Sequence, residues 1–240
     1  MQEIDRINED ISNCTLCHGH PIIAPLVQQG LFAYHWEPYW QSYGGLEYVF
    51  LGWEPSTRYV VEPWQPRTVG TFNASLNFAI QEYLSNSYLI TNMAKCTMRT
   101  GQVCDDTREF RFKNCAPFLT RELSLVNAPA HRPKVVSIGR SSGRSPQWFI
   151  HHHPEIYANV FDGATIHCIT HYSPQNEPRL RRFAAQDRAG YEQFQNSIRE
   201  KYADWLKKSE HWGNDNPCEG EFFRMFKWRA EMEAIRNADT

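Results

Sequence analysis

The sequence predicts an α/β fold, a three-layer α/β/α arrangement around a central four-stranded, mostly parallel sheet. Three observations predict it: four short apolar runs of strand composition, helical periodicity between them, and a length of 240 residues, enough to bury one sizeable core. In such a sheet the working loops gather at the carboxyl ends of the strands.

Glu3 to Ile11 reads as a short helix leading into the Cys14-Thr15-Leu16-Cys17 turn. Pro21 to Gly45, rich in Pro, Gly and aromatic residues, reads as irregular chain wrapped over the domain. Glu47 to Gly52 (EYVFLG) is the first strand, and the Gly-x-x-Pro step after it ends that strand sharply. Glu62 to Thr71 is a loop punctuated by Pro63 and Pro66. Asn73 to Leu84 then places Ala74, Leu76, Phe78, Ala79, Tyr83 and Leu84 at helical spacing. Tyr88 to Met93 is the second strand. A polar stretch from Thr97 to Asn114 precedes an amphipathic helix over Cys115 to Leu125, and the third and fourth strands are Lys134 to Gly139 and Ala164 to Thr170. Gln186 to Ala238 is helical and charged, with Tyr191, Phe194, Ile198, Tyr202, Trp205 and Leu206 forming an apolar face expected to pack on the sheet. Neither an internal repeat nor a low-complexity tract interrupts this order, so residues 1–240 are expected to form a single domain with a C-terminal helical extension.

Lys plus Arg number 25 against 27 Asp plus Glu, a net charge of −2, which excludes attraction to nucleic acid through bulk charge. Any basic surface must be local. Aromatic residues make up 14% of the chain, including eight Trp and eleven Tyr, and serve as core, as base-stacking surface, or as both. No apolar run approaches the roughly 18 residues of a membrane span, and Met1 to Asp10 is polar and acidic, unlike a signal peptide. The expectation is a soluble, cytoplasmic, monomeric protein without a membrane partner. Seven cysteines are an odd count for a secreted disulfide framework, and a C-x-x-C pair points to metal or redox use.

Cys14 and Cys17 form a tight pair and Cys96 and Cys115 a wide one, a set that lets four thiolates converge on one centre. Zinc and an iron-sulfur cluster both accept four thiolates, and the spacing does not choose between them. His18 and His20 are alternative ligands beside the first pair. Cys104, Cys168 and Cys218 read as small buried or unused thiols, and His151-His152-His153 as a solvated loop. Gly52-Trp53-Glu54-Pro55-Ser56 and Thr170-His171-Tyr172-Ser173-Pro174 each follow an apolar run, so Glu54 and His171 are expected to meet at one edge of the parallel sheet. That pair suits cleavage of a bond to a poor leaving group. The carboxylate orients water or stabilises a cation, and the imidazole hydrogen-bonds developing negative charge.

Read in order, Cys14-x2-Cys17, LGWEPS, YLITNMAKC, Cys115-Ala-Pro-Phe-Leu, RPKVVSIGR and THYSP resemble the uracil-DNA glycosylase superfamily, and within it the iron-sulfur branch. The likeness covers roughly residues 10–182. It implies a uracil-DNA glycosylase-like fold and DNA as partner. It also implies a 4Fe-4S cluster, structural in that branch, held by Cys14, Cys17, Cys96 and Cys115, in preference to zinc. Carried over by residue, Glu54 falls in the water-activating loop, Asn92 matches the amide that reads the Watson-Crick edge, and His171 matches the imidazole that stabilises the departing base. Phe72 is the stacking partner for the flipped base, and Ser173 a phosphate contact. The following QNEPRLRR stretch, with Arg179, Arg181, Arg182 and Leu180, reads as a loop that grips phosphates and offers a wedge side chain. These roles answer what a glycosylase needs, a nucleotide out of the stack, an amide on its edge, a ring against its face and negative charge near the sugar. Each residue also has a plainer reading: Asn92 as a turn cap, Phe72 as core, His171 as a hydrogen-bonded structural residue, Glu54 as a solvated loop acid, and the arginines as a solvated basic turn.

The chain departs from the branch at two places. Trp53 and Glu54 stand where that branch usually has an acidic residue and then Ala, and Tyr172 stands where relatives usually have Pro. Uracil leaves as a fairly stable anion, whereas a cytosine-type base is a poorer leaving group, so Glu54 beside His171 points to a harder substrate. The aromatic segment Leu31 to Tyr43 suits a larger pocket. The expectation is a monofunctional DNA glycosylase acting on hypermodified cytosine, such as glucosylated 5-hydroxymethylcytosine of phage DNA, in anti-phage defence. The alternatives are a uracil-DNA glycosylase of base-excision repair and a non-catalytic iron-sulfur DNA-binding module. Lys95 is a Schiff-base candidate or, beside Cys96, a phosphate contact.

Overall fold

A computed structural model describes residues 3–34, 39–41, 46–53, 74–98, 101–126, 133–139, 145–161, 164–171, 176–208 and 218–238. Among them the chain is α/β. Its elements are α1 (Glu3–Ser12), α2 (Ala24–Gln28), β1 (Phe32–Tyr34), β2 (Tyr39–Gln41), β3 (Tyr48–Gly52), α3 (Ala74–Tyr83), β4 (Tyr88–Asn92), β5 (Cys96–Met98), α4 (Gly101–Val126), β6 (Lys134–Ile138), α5 (Pro146–His152), α6 (Pro154–Phe161), β7 (Ile166–Ile169), α7 (Glu177–Gln186), α8 (Arg188–Lys208) and α9 (Glu219–Ala238). None of these helices is long and apolar enough to cross a membrane.

The larger sheet has the order β2-β4-β3-β6-β7, a four-stranded parallel core edged by β2, which runs antiparallel to β4. Parallel pairing aligns Gly52 with Asn92 and Leu51 with Ser137, so β3 and β4 end side by side. All five residues of β3 are buried, as they must be in a parallel strand covered on both faces. The four predicted strands are present with ends shifted by one or two residues. Pro21 to Gly45, expected to be irregular, contributes α2, β1 and β2. β1 pairs with β5 in a separate antiparallel ribbon that sets Tyr34 opposite Cys96.

The chain forms two compact units interleaved in sequence. In the unit of residues 1–66, 87–137 and 141–166, the core joins Val49, Leu51, Leu89 and Val135 of the sheet to Phe112, Leu119 and Leu123 of α4 and to Phe149, Tyr157 and Phe161. Helix α4 begins well upstream of its expected start at Cys115, in a stretch where Arg108 and Arg111 on its buried stripe hide the apolar period. Pro117 lies on the exposed side of α4, where water can take up the carbonyl that its missing N–H leaves free. His151 and His152 are not in a loop. They occupy the last turn of α5, which starts with Pro146 after an N-cap bond from the Trp148 amide to the Ser145 hydroxyl, and His152 stacks on Trp148.

The second unit, residues 67–86, 138–140 and 167–240, is dominated by α3, α7, α8 and α9. Tyr191, Phe194, Ile198, Tyr202 and Leu206 of α8 are buried as the period predicts, and Trp205 is half-buried. The face meets other helices: Phe78 of α3 lies edge-on to Tyr202, and Phe226 of α9 packs on Tyr191 and Phe194. Gly139 ends β6 at φ 112°, a conformation that favours glycine, and its N–H donates to the Ile169 carbonyl at 2.7 Å.

Leu119 is fully buried against both sheet and helix residues of the first unit. Leu119→Ala is expected to cost about 2–5 kcal/mol, read as a lower urea midpoint with an unchanged m-value.

Candidate functional site

The four cysteines of the sequence motif meet within the first unit. Cys14 and Cys17 occupy the turn after α1, where the Cys14 amide donates to Ile11 at 3.1 Å and the His20 amide to Cys17 at 3.1 Å. Cys96 opens β5, and Cys115 lies on the buried stripe of α4. The Cys96 thiol is shared between Cys17 and Cys115, which lowers both partners and raises Cys96; Cys17 is brought down to about 7, helped by Asn114 and by the charge of Arg111 against the opposing effect of burial. Cys14 is within electrostatic reach of Cys17 and Cys115, and partial burial raises its thiol. The side chains around them offer donors: Asn114 Nδ2 lies 3.5 Å from Cys17 Sγ, and the Lys95 amide donates to Cys115 Sγ at 3.3 Å. Arg111, fully buried, donates to the Cys96 carbonyl at 3.1 Å.

These surroundings favour the thiolate at Cys17 and Cys115 and disfavour it at Cys14 and Cys96. Four sulfur donors, N–H groups aimed at two of them and a buried guanidinium fit a group held by four thiolates, the requirement shared by a 4Fe-4S cluster and zinc. The Cys96 sulfur contacts those of Cys17 and Cys115, and among the described residues no three Cys, His, Asp or Glu side chains are arranged to hold a single metal ion. His18 and His20 pack on Phe32 and Phe110, their rings used in aromatic contacts. Of the remaining cysteines, Cys168 is half-buried and Cys218 is exposed, both as free thiols.

One turn of chain connects this centre to the end of the sheet. Lys95, 2% exposed, donates from Nζ to Glu122 Oε2 at 2.6 Å, to the Asn92 carbonyl at 2.7 Å and to Thr91 Oγ1 at 2.9 Å. Glu122 is fully buried on the same stripe of α4 as Cys115; burial pushes its carboxyl up, and the Lys95 charge and the Lys95 and Thr91 hydrogen bonds pull it back. The ammonium is thereby held inside the unit, and the expected phosphate contact of Lys95 is corrected by its burial.

Asn92 ends β4, half-buried, with its side chain against Gly52. A methyl group on Gly52 would collide with Asn92 Oδ1, so the glycine of the LGWEPS motif makes room for this amide. Trp53 is also tied down. Met93 and Ala94 donate to the Gly52 and Trp53 carbonyls at 2.9 and 3.0 Å, and the Arg108 guanidinium lies 4.4 Å over the Trp53 ring. Glu54 follows Trp53 and lies outside the described residues, as do Phe72 and Ser173.

His171 belongs to the second unit, two residues past β7, half-buried, its carbonyl accepting from Asn176 Nδ2 at 2.9 Å. The arginine-rich stretch lies mainly in helix α7, whose first turn it enters at Glu177. Arg179 and Arg182 are exposed; Arg181 pairs with Glu177 at 3.5 Å and lies over Phe223. Leu180 is buried, so it is not available as a duplex wedge.

The sequence reading missed the roles of Gly52, Lys95, Arg111, Asn114 and Glu122. Arg111 stands four residues before Cys115, a helical spacing that becomes visible once α4 is known to start at Gly101. The pairing of Lys95 with Glu122, 27 residues apart, has no local signal.

Removing one member of a buried ion pair strands the other charge. Lys95→Met alone is expected to cost about 3–5 kcal/mol, and Lys95→Met combined with Glu122→Leu distinctly less, with urea unfolding of both variants as the measurement. No protein-family model matches this chain, and no curated protein matches it.

Proposed function

We propose that this protein is a monofunctional DNA glycosylase of the uracil-DNA glycosylase type with a 4Fe-4S cluster at Cys14, Cys17, Cys96 and Cys115. The observation that carries the reading is the coincidence, within one unit, of a four-cysteine centre and a strand-end loop that presents Asn92 beside Gly52 and Trp53, the residues leading into Glu54. A bound cluster supplies a covalent tie between the N-terminal turn, β5 and α4. The chemistry belongs to side chains.

In this reading the target nucleotide leaves the stack and Asn92 pairs with its edge through the amide, with Phe72 against its face. Glu54 orients water toward the sugar and balances the oxocarbenium-like charge. The N-glycosidic electron pair departs with the base, where His171 hydrogen-bonds the developing anion. Water adds at the sugar carbon and yields its proton to Glu54, leaving an abasic site. Lys95 is held by Glu122 and Thr91 in the interior, which favours water over an amine as nucleophile. Ser173, Arg179, Arg181 and Arg182 serve as phosphate contacts, the exposed Arg179 and Arg182 foremost.

The favoured substrate is a hypermodified cytosine, glucosylated 5-hydroxymethylcytosine of phage DNA, with uracil repair as the alternative. Duplexes carrying uracil, 5-hydroxymethylcytosine or its glucosylated form separate these outcomes when abasic sites are counted after incubation. Glu54→Gln is expected to lower excision by at least about 10²-fold while DNA binding holds. Absence of abasic sites from every duplex favours a non-catalytic iron-sulfur DNA-binding module and overturns the glycosylase reading.

Four thiolates are also the ligand set of a structural zinc ion, with Zn–S bonds of about 2.3 Å. Anaerobically purified protein is expected to contain iron and acid-labile sulfide with a visible absorbance band, all lost in Cys96→Ser. Stoichiometric zinc without iron would assign the centre to zinc.

A further inference from the structure

We propose that the C-terminal helix α9 aims His171, and that Glu231 is the positioning residue through which it does so. The inference rests on the reading of His171 as the group that meets the departing base, and it gives the C-terminal helix a task in that chemistry.

Thr170 is the residue between the end of β7 and His171, and side chains of α9 take up its polar groups. Glu231 Oε2 accepts the Thr170 N–H at 2.7 Å, and Glu231 Oε1 accepts the Thr170 hydroxyl at 2.9 Å. Trp228, one helical turn earlier, donates its indole N–H to the Thr170 carbonyl at 2.7 Å. That carbonyl belongs to the peptide that enters His171. On the other side, the His171 carbonyl accepts from Asn176. The backbone of His171 is therefore gripped before and after by side chains, and its aim is set by α9 and the start of α7.

The grip is rigid and costly, which argues for a task. Glu231 is 5% exposed and Trp228 1%, and Lys227 Nζ approaches Glu231 at 3.6 Å. A buried carboxylate carries a desolvation cost that neutral partners for one threonine would avoid. In return it makes two charge-assisted bonds, stronger than neutral ones. Helix α9 is itself fixed by Phe226 against Phe183, Tyr191 and Phe194. Misplacing a reacting group by about 1 Å can cost about 10²-fold in rate, so a clamp one residue away from an imidazole is well placed to govern turnover.

The test uses the full chain, in two arms. With the modified duplex that is excised, Glu231→Ala is expected to lower kcat by about 10-fold or more while KM for DNA stays within about two-fold, and Glu231→Gln to recover most of the loss, since its amide can accept the N–H and donate to the hydroxyl. In a His171→Ala background, Glu231→Ala is expected to add almost nothing, because there is no ring left to aim. The same fold loss in both backgrounds would show a general structural effect and overturn the proposal.

The second arm does not depend on activity. Ring signals of His171 in nitrogen-15 histidine spectra, identified by their loss in His171→Gln, are expected to shift in Glu231→Ala and in Thr170→Val and to return in Glu231→Gln. Unchanged His171 signals in folded Thr170→Val and Glu231→Ala would overturn the clamp. If Glu231→Ala does not fold, Thr170→Val decides. Shifted signals together with no excision of any duplex would uphold the clamp and reject the glycosylase reading alone.

Discussion

The first unit depends on a buried ion pair. Lys95 and Glu122 are both almost inaccessible to water, and an unpaired charge in either place would be strongly destabilising. Their contact fixes α4 against the end of β4, because Glu122 comes from the helix while Lys95, Thr91 and the Asn92 carbonyl come from the strand and its turn. The same turn delivers its Lys95 amide to Cys115 and its next residue, Cys96, to the thiol cluster. A hydrophobic contact would hold the layers together without specifying this register. A charged pair with three hydrogen bonds from one ammonium does specify it.

That constraint explains why the sulfur centre and the proposed base-reading residue are neighbours in structure. Asn92 and Cys96 are four residues apart, and the chain between them is occupied by Lys95 and by backbone bonds from Met93 and Ala94 to Gly52 and Trp53. A group bound by the four cysteines would brace the far side of a turn whose near side carries Asn92. Donors are arranged around the sulfurs, with Arg111 set among them. In the second unit a carboxylate on α9 plays a comparable part for Thr170 and His171. In both places a buried charge defines the geometry of a strand end, where ladder hydrogen bonds run out and the backbone needs other partners.

Some of this was legible in the chain. The four parallel strands announce themselves as short apolar runs bounded by Gly and polar residues, most clearly at β3, which is buried throughout and apolar. Helices α1, α3 and α8 follow from spacing alone, and the C-x-x-C pair with Cys96 and Cys115 identifies the thiol set. Helix α4 is legible only in part, because Arg108 and Arg111 occupy buried positions where the 3.6-residue rule expects apolar side chains. The arginines of QNEPRLRR read as a loop but lie in α7, whose Pro178 sits in the first turn, where a proline loses no bond.

The sequence by itself determined the fold class and the order of the parallel strands' elements along the chain, because both are written in local composition and spacing. Only the tertiary structure decided that Lys95 faces Glu122, that Gly52 exists to admit Asn92, and that α9 reaches back 61 residues to hold Thr170. Those pairings join groups distant along the chain. They arise when charges and amides that leave water must find partners in the interior, and which partner each finds is settled by packing, which local composition does not record.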